Sequence, residues 1–338
     1  MENRPGRRDD IDLEHEPDPW QEDDPDLALA DSLAEPVPSA TDGPLAVTTK
    51  SSGGDGSRRF WVERDSAWYW PLTGLVGLLV AVGITLLANW LPFNDLTSGA
   101  VATNQPVPFQ PAAWSFMIWV IIYALMAVYV VYTIMPGGRR NKRVRQIGPL
   151  FLLANVANIL WVAFWHWKSF TFAFVFILIL LIALLIISFI SQRSGRDEAT
   201  PSRFQILMVE VPFSIYLGWA SFLTLVTLMV WLQDGGWDGG PFSLRVWAVL
   251  FMIIGLLASG AFAAFRQDAA YPLVFGWGFI AITQQQWGES KVVAIFAGIA
   301  AVLAVALAVM AFMLSFDRRA LTRSYPVDDE ETATPPLA

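Results

Sequence analysis

The chain has 338 residues, of which 55% are hydrophobic and 15% are charged, and its net charge is -8. A water-soluble fold cannot cover that much apolar surface, so the composition favours a membrane protein. The absence of Cys excludes disulfides and thiolate chemistry, and the absence of a soluble module rich in basic and aromatic residues argues against nucleic acid as a partner.

The N-terminal segment, residues 1–59, contains half of the 30 acidic residues, together with Pro, Ser and Gly. It has no apolar pattern long enough to bury a core, and this composition predicts a disordered acidic tail on the cytoplasmic side. It also has no basic segment followed directly by an apolar stretch. A cleaved signal peptide is therefore not expected.

Eight apolar stretches follow the tail, and each is about long enough for a helix that crosses the hydrocarbon core. They are residues 68–92, 114–136, 147–167, 169–191, 204–232, 244–265, 270–286 and 291–316. The seventh is the shortest and the most polar. The pattern predicts an all-α membrane protein with about eight transmembrane helices and a short cytoplasmic tail over residues 317–338.

The Lys and Arg residues predict the orientation, because short cytoplasmic loops retain positive charge. Of those close to the spans, sixteen lie before span one, in the even-numbered loops or after span eight. Three lie on the opposite side: Lys168, Arg245 and Lys291. Both termini are therefore expected to be cytoplasmic, which requires an even number of spans, and the membrane is expected to be the cell membrane.

Few ionisable side chains lie inside the predicted spans. Glu210 is near the cytoplasmic end of span five, and His166 is near the outer end of span three, between Trp165 and Trp167. We interpret Glu210 as reaching the membrane interface and His166 as part of an interfacial aromatic cluster. No residues have the spacing of a metal site, a cofactor site or a catalytic group, so an enzyme is not expected.

Tryptophan is the most informative residue type, with 15 of the 16 after residue 60. Many belong at membrane interfaces, but three spans carry aromatic and polar residues on one helix face, three or four residues apart. We predict that these faces line one pocket, open towards the external side. Its candidate ligand-binding residues are Trp119, Tyr123, Asn155, Asn158, Trp161, Trp165, Tyr216 and Trp219. The same pattern is typical of helix packing, so this alternative stays open.

Three motifs in these spans indicate a family. They are FQPAAWSFMIWVIIYALM over residues 109–126, LLANVANILWVAFW over residues 152–165, and YLGWASFLTL over residues 216–225. In this order they resemble the second, third and fifth helices of the translocator protein family, also called TspO or tryptophan-rich sensory protein. The resemblance covers residues 68–232.

This resemblance implies a five-helix bundle over residues 68–232, with three additional helices over residues 244–316. It implies a flat hydrophobic ligand, such as a tetrapyrrole, that is sensed or translocated without a cofactor. Membrane lipid is the other expected partner, and a homo-oligomer stays open. Two rival functions remain: a transporter of small solutes, which predicts polar side chains converging from several helices, and a structural or regulatory membrane protein without a ligand.

The charge distribution predicts that a reporter fused after Arg323 and one inserted within residues 236–240 lie on opposite sides of the membrane. The C-terminal reporter is expected in the cytoplasm, because it follows a basic segment. A reporter enzyme that is active on one side only measures each position. Two reporters on the same side would contradict the topology.

Overall fold

A computed structural model of the chain describes residues 69–90, 97–105, 107–192, 204 and 206–323. The predicted acidic tail, residues 1–59, lies outside the described residues, as do positions 324–338 of the C-terminal tail. No described residue lies in a β-strand, and the prediction of an all-α protein is confirmed.

The described residues form ten α-helices. These are α1 Tyr69–Trp90, α2 Ser98–Thr103, α3 Ile118–Ile134, α4 Pro136–Arg140, α5 Lys142–His166, α6 Phe170–Gln192, α7 Val211–Asp234, α8 Leu244–Arg266, α9 Ala270–Gln286 and α10 Lys291–Arg323. A 3₁₀ turn, Ala113–Met117, leads into α3, and a π-helical turn, Ile206–Glu210, leads into α7. Helix α10 runs beyond residue 316, the predicted end of the last span.

Among the described residues, seven helices are long and apolar enough to cross a membrane, counting the turns before α3 and α7. The chain is therefore a multi-pass membrane protein. Helix α9 has the bounds of the predicted seventh span but only 17 residues. At a rise of about 1.5 Å per residue it is about 26 Å long, slightly less than a hydrocarbon core of about 30 Å.

Helix α9 nevertheless connects the two ends of the bundle. Before its first turn, the Asp268 carboxylate accepts a hydrogen bond from the Ser214 hydroxyl at the start of α7. Near its last turn, the backbone O of Ala281 accepts a hydrogen bond from the N–H of Ala112, just before α3, at 3.1 Å. Because successive long helices run antiparallel, α3 and α7 begin at opposite ends. We call the end with α2 the cap end and the end with α4 the basic end.

The first five long helices form a closed ring. Each packs against the next in the order α1, α5, α6, α7 and α3, and α3 packs back against α1. Helices α8, α9 and α10 pack against one another, and α9 also packs against α7 and the turn before α3. The interior of the ring is thus surrounded by five helices, with the three later helices along one side.

Large aromatic side chains fill the interior, and aliphatic ones cover the outside. The largest fully buried side chains are those of Trp161, Trp165 and Trp219. Outward-facing residues such as Leu79 and Val302 are largely exposed. This distribution suits a bundle surrounded by hydrocarbon, where the outer surface must be apolar.

A polar network joins the helices at the basic end. The Arg266 guanidinium donates to the hydroxyl and, at 2.7 Å, to the backbone O of Ser188 at the end of α6. It also lies 5.0 Å from the centroid of the Phe189 ring, within range of a cation–π interaction. Glu210 is partly buried and interacts electrostatically with Arg266. These contacts tie α8 to the five-helix ring.

Helix α9 approaches α7 closely because Gly278 has no side chain. A Cβ at this position would lie 2.4 Å from Cε2 of Phe222, whose buried ring stacks on Trp219 with centroids 5.4 Å apart. We expect Gly278→Ala to lower the free energy of unfolding by about 1–3 kcal/mol, measured as a lower Tm in detergent. Gly260→Ala is the control, because a Cβ there meets nothing within 4 Å. Equal Tm values for the two variants would contradict this packing.

Candidate functional site

Trp119 lies at the centre of the predicted site. Its ring stacks on Tyr123 of the same helix with centroids 5.4 Å apart. It also contacts Trp161 of α5, at 6.0 Å, and Tyr216 of α7, at 5.9 Å. The helix faces predicted from the spacing of three and four residues are thus brought together by three helices of the ring.

Trp219 lies three residues after Tyr216 on α7, and its ring meets that of Phe116 edge-on at 5.7 Å. Phe116 lies in the 3₁₀ turn, three residues before Trp119. We use the name aromatic cluster for six of the predicted residues: Trp119, Tyr123, Asn158, Trp161, Tyr216 and Trp219.

A hydrogen-bonded trio borders the aromatic cluster. The amide Nδ2 of Asn158 donates to the Tyr123 hydroxyl at 2.9 Å, and this hydroxyl lies 2.7 Å from Oγ1 of Thr85. The three residues come from α5, α3 and α1. Thr85 is not among the residues predicted for the site, although a polar residue in an apolar span usually faces other helices.

Three polar atoms in the aromatic cluster are buried without a hydrogen-bond partner. They are Oδ1 of Asn158, the hydroxyl of Tyr216 and Nε1 of Trp219. Because a buried polar group without a partner costs free energy, native proteins retain few of them. Oδ1 of Asn158 on α5 can only accept a hydrogen bond, and Nε1 of Trp219 on α7 can only donate one. The Tyr216 hydroxyl, also on α7, can do either.

Two other predicted residues make different contacts. Asn155 donates from Nδ2 to the backbone O of Phe151 in its own helix, at 3.0 Å, and packs beside Gly77 of α1. Trp165 stacks on Trp161 with centroids 5.7 Å apart, one turn closer to the cap end. Asn155 therefore lies between α5 and α1, whereas Trp165 extends the aromatic cluster.

The cap segment, residues 97–105 and 107–117, covers the cap end. The backbone O of Ser98 accepts a hydrogen bond from Nε1 of Trp165 at 3.1 Å. Nδ1 of His166 lies 2.8 Å from the backbone O of Val162 and so carries the proton, which leaves Nε2 to accept from the Ser98 hydroxyl at 3.3 Å. His166 is fully buried beneath α2, and its interpretation as part of an interfacial aromatic cluster stays a prediction.

The pocket is also more closed than the sequence predicts. Trp119 is only 4% exposed, and Trp161, Trp165 and Trp219 are 0% exposed. The rings pack on one another and the cap segment lies over their cap end, so the opening expected on the external side is absent from this part of the described chain. A ligand reaches the aromatic cluster only if rings and cap segment move.

Within the described ranges, no three His, Asp or Glu side chains lie close enough together to hold a metal ion. Apart from the buried polar atoms, the surfaces that the aromatic cluster offers are flat and apolar. This arrangement is suited to stacking and to a few hydrogen bonds.

Comparison with known proteins gives a family match. A family model described as TSPO-like protein matches residues 71–310. The match extends through α8 and α9 and into α10, beyond residues 68–232, the limits of the resemblance in the sequence motifs. No curated protein and no solved structure matches the chain.

The trio at the edge of the aromatic cluster is expected to stabilise the ring. Tyr123→Phe removes the hydroxyl that bonds both Asn158 and Thr85, and hydrogen bonds between membrane helices contribute about 0.6 kcal/mol each on average. We expect a loss of about 1 kcal/mol, read as a lower Tm in detergent. Tyr132→Phe, nearer the other end of the same helix and outside the trio, is the control. A Tyr123→Phe protein as stable as the parent would mean that the trio does not hold the helices together.

Proposed function

We propose that this chain, which belongs to the TSPO-like protein family, binds a flat hydrophobic ligand of the porphyrin type in the aromatic cluster. The ligand is sensed or translocated, and no reaction is catalysed on it. The chain is proposed to lie in the cell membrane with both termini in the cytoplasm. Lipid is then the partner of its aliphatic outer face, and a second copy of the chain is a further candidate partner.

The observation that carries this proposal is the set of unpartnered polar atoms among stacked rings. Nε1 of Trp219 needs an acceptor, and Oδ1 of Asn158 needs a donor. A tetrapyrrole offers a flat apolar face, N–H donors and carboxylate acceptors in one molecule. Binding such a ligand would supply the missing hydrogen bonds and so offset the cost of burying these atoms.

The closed geometry also supports a ligand that stacks. Trp119 lies between Tyr123 and Trp161 with ring centroids 5.4 and 6.0 Å away, and flat surfaces exchange one stacking partner for another at little cost. A porphyrin that displaces these rings keeps the aromatic contacts. A bulky aliphatic ligand would lose them.

A second function, the transport of small solutes, is favoured by one observation. Thr85, Tyr123 and Asn158 converge from three different helices and form a polar group inside the ring. A solute pathway through a bundle needs such groups, because they replace water around a polar substrate. Uptake of a small polar solute into vesicles without any porphyrin binding would favour this alternative.

A titration with a panel of porphyrins tests the proposal directly. Porphyrin absorbance in the Soret region reports binding to the purified parent protein. Trp219→Phe keeps an aromatic ring but removes the indole N–H, and is expected to weaken binding about two- to tenfold, the usual net value of one hydrogen bond. Trp119→Phe reduces the stacking surface and should weaken binding by a similar factor, since loss of a whole aromatic platform costs about 1–3 kcal/mol.

Trp167→Phe is the matched control for both variants. Trp167 lies just after α5, is 59% exposed and is outside the aromatic cluster, so the affinity of this variant should equal that of the parent. If the folded parent binds no porphyrin, the proposed ligand class is wrong. If it binds porphyrin and all three Phe variants bind it equally well, the ligand lies elsewhere and the aromatic cluster only packs the helices.

A further inference from the structure

Helix α9 packs against the cap segment just before α3. The indole N–H of Trp277 donates to the backbone O of Ser115 at 3.0 Å. The indole N–H of Trp114 donates to Oε1 of Gln284 at 2.6 Å, and the Trp114 ring meets the Trp277 ring edge-on at 4.7 Å. Trp277 and Gln284 are two turns apart on one helix face. The end of the cap segment next to α3 is therefore bonded to a single face of α9.

This part of the cap segment depends on its neighbours for hydrogen bonds. Pro108 and Pro111 have no N–H group, and the N–H of Ala112 donates to the backbone O of Ala281 in α9 rather than within its own turn. Backbone polar groups away from water need partners, and α9 supplies one here. This part of the segment is thus bonded to a helix outside the five-helix ring, whereas Ser98 at its start is bonded to α5.

The opposite side of the same segment contacts the aromatic interior. The ring of Phe109 lies 5.6 Å from Phe222 of α7, and Phe116 meets Trp219 edge-on at 5.7 Å. Trp219 carries one of the unpartnered N–H groups of the aromatic cluster. A displacement of the cap segment therefore removes the Phe116 ring from its contact with Trp219.

We propose that α9 controls access to the aromatic cluster by fixing the cap segment, with Trp277 and Gln284 as positioning residues. The inference rests on the proposed function, because it assigns a role in ligand uptake. Loss of their hydrogen bonds favours an open cap segment by about two- to tenfold for each bond. Ligand association and dissociation should both accelerate, whereas the affinity changes less than either rate because neither residue belongs to the aromatic cluster.

The first experiment needs no ligand. Hydrogen–deuterium exchange is measured by mass spectrometry on peptides from residues 97–117 of the full chain in lipid nanodiscs. Trp277→Phe combined with Gln284→Met keeps the ring and the side-chain length but removes both hydrogen bonds, and exchange in these peptides should rise severalfold. The matched control is Trp287→Phe combined with Gln285→Met, because Trp287 is 59% exposed and lies beyond the contact. Its exchange should equal that of the parent.

The second experiment uses protoporphyrin IX in stopped-flow mixing, followed by Soret absorbance. In the Trp277→Phe, Gln284→Met protein, which loses two hydrogen bonds, association and dissociation should both be about fourfold to a hundredfold faster than in the parent. A variant that merely loses stability would show a lower Tm and weaker binding without faster association. Faster association therefore indicates that α9 controls access, whereas association that is not faster indicates a loss of stability.

Unchanged exchange over residues 97–117 would overturn the inference, because α9 would then not fix the segment. Raised exchange with unchanged or slower association would overturn it as well, because the segment would not control access. If the parent protein binds no porphyrin, the proposed function fails, and the exchange experiment alone decides whether α9 positions the cap segment.

Discussion

Hydrocarbon offers no hydrogen-bond partners, so every polar group within a membrane span must find one inside the protein. This constraint explains why the described chain is helical and why its polar side chains face inwards. Tyr123 meets both requirements, since its hydroxyl pairs with Asn158 and Thr85 from two other helices. The unpartnered Nε1 of Trp219 and hydroxyl of Tyr216 are notable against this background. Most of the interior obeys the rule, and three of the exceptions lie in the aromatic cluster, whereas Ser259 Oγ is one outside it.

The same constraint divides the roles of the side chains. Aliphatic side chains on the outside are as apolar as the lipid chains, so the hydrophobic effect does not drive helix association. Packing and hydrogen bonds between helices drive it instead. Rings of Trp, Tyr and Phe supply the packing, and glycines such as Gly278 let helices approach closely. The resulting interior is flat and polarisable but closed. The proposed ligand binding would therefore require a change in the arrangement of the rings and a movement of the cap segment with them.

Much of this architecture was predictable, because hydropathy and helical spacing are local properties. Helix α6 spans Phe170–Gln192 where residues 169–191 were predicted, and the spacing of Trp119 and Tyr123 correctly placed both on one face. The cap segment was not predicted, since it has no periodic pattern. Thr97 caps α2, accepting from the N–H of Ala100 at 3.2 Å, but nothing local shows that α2 folds onto His166. That contact depends on the tertiary structure.

The three later helices are better regarded as part of one unit with the ring than as an addition to it. The family match runs to residue 310 and so includes α9. Asp268, just before α9, bonds to α7, and Ala281, near the other end of α9, bonds to the cap segment. A short helix is sufficient to connect α7 and the cap segment, because only the polar contacts at its two ends have to be reached. It does not need a full apolar surface that faces lipid. Its polar residue Gln284, which makes the seventh span look weak in hydropathy, is the one that pairs with Trp114. The polarity that makes this span hard to predict is therefore what ties it to the site.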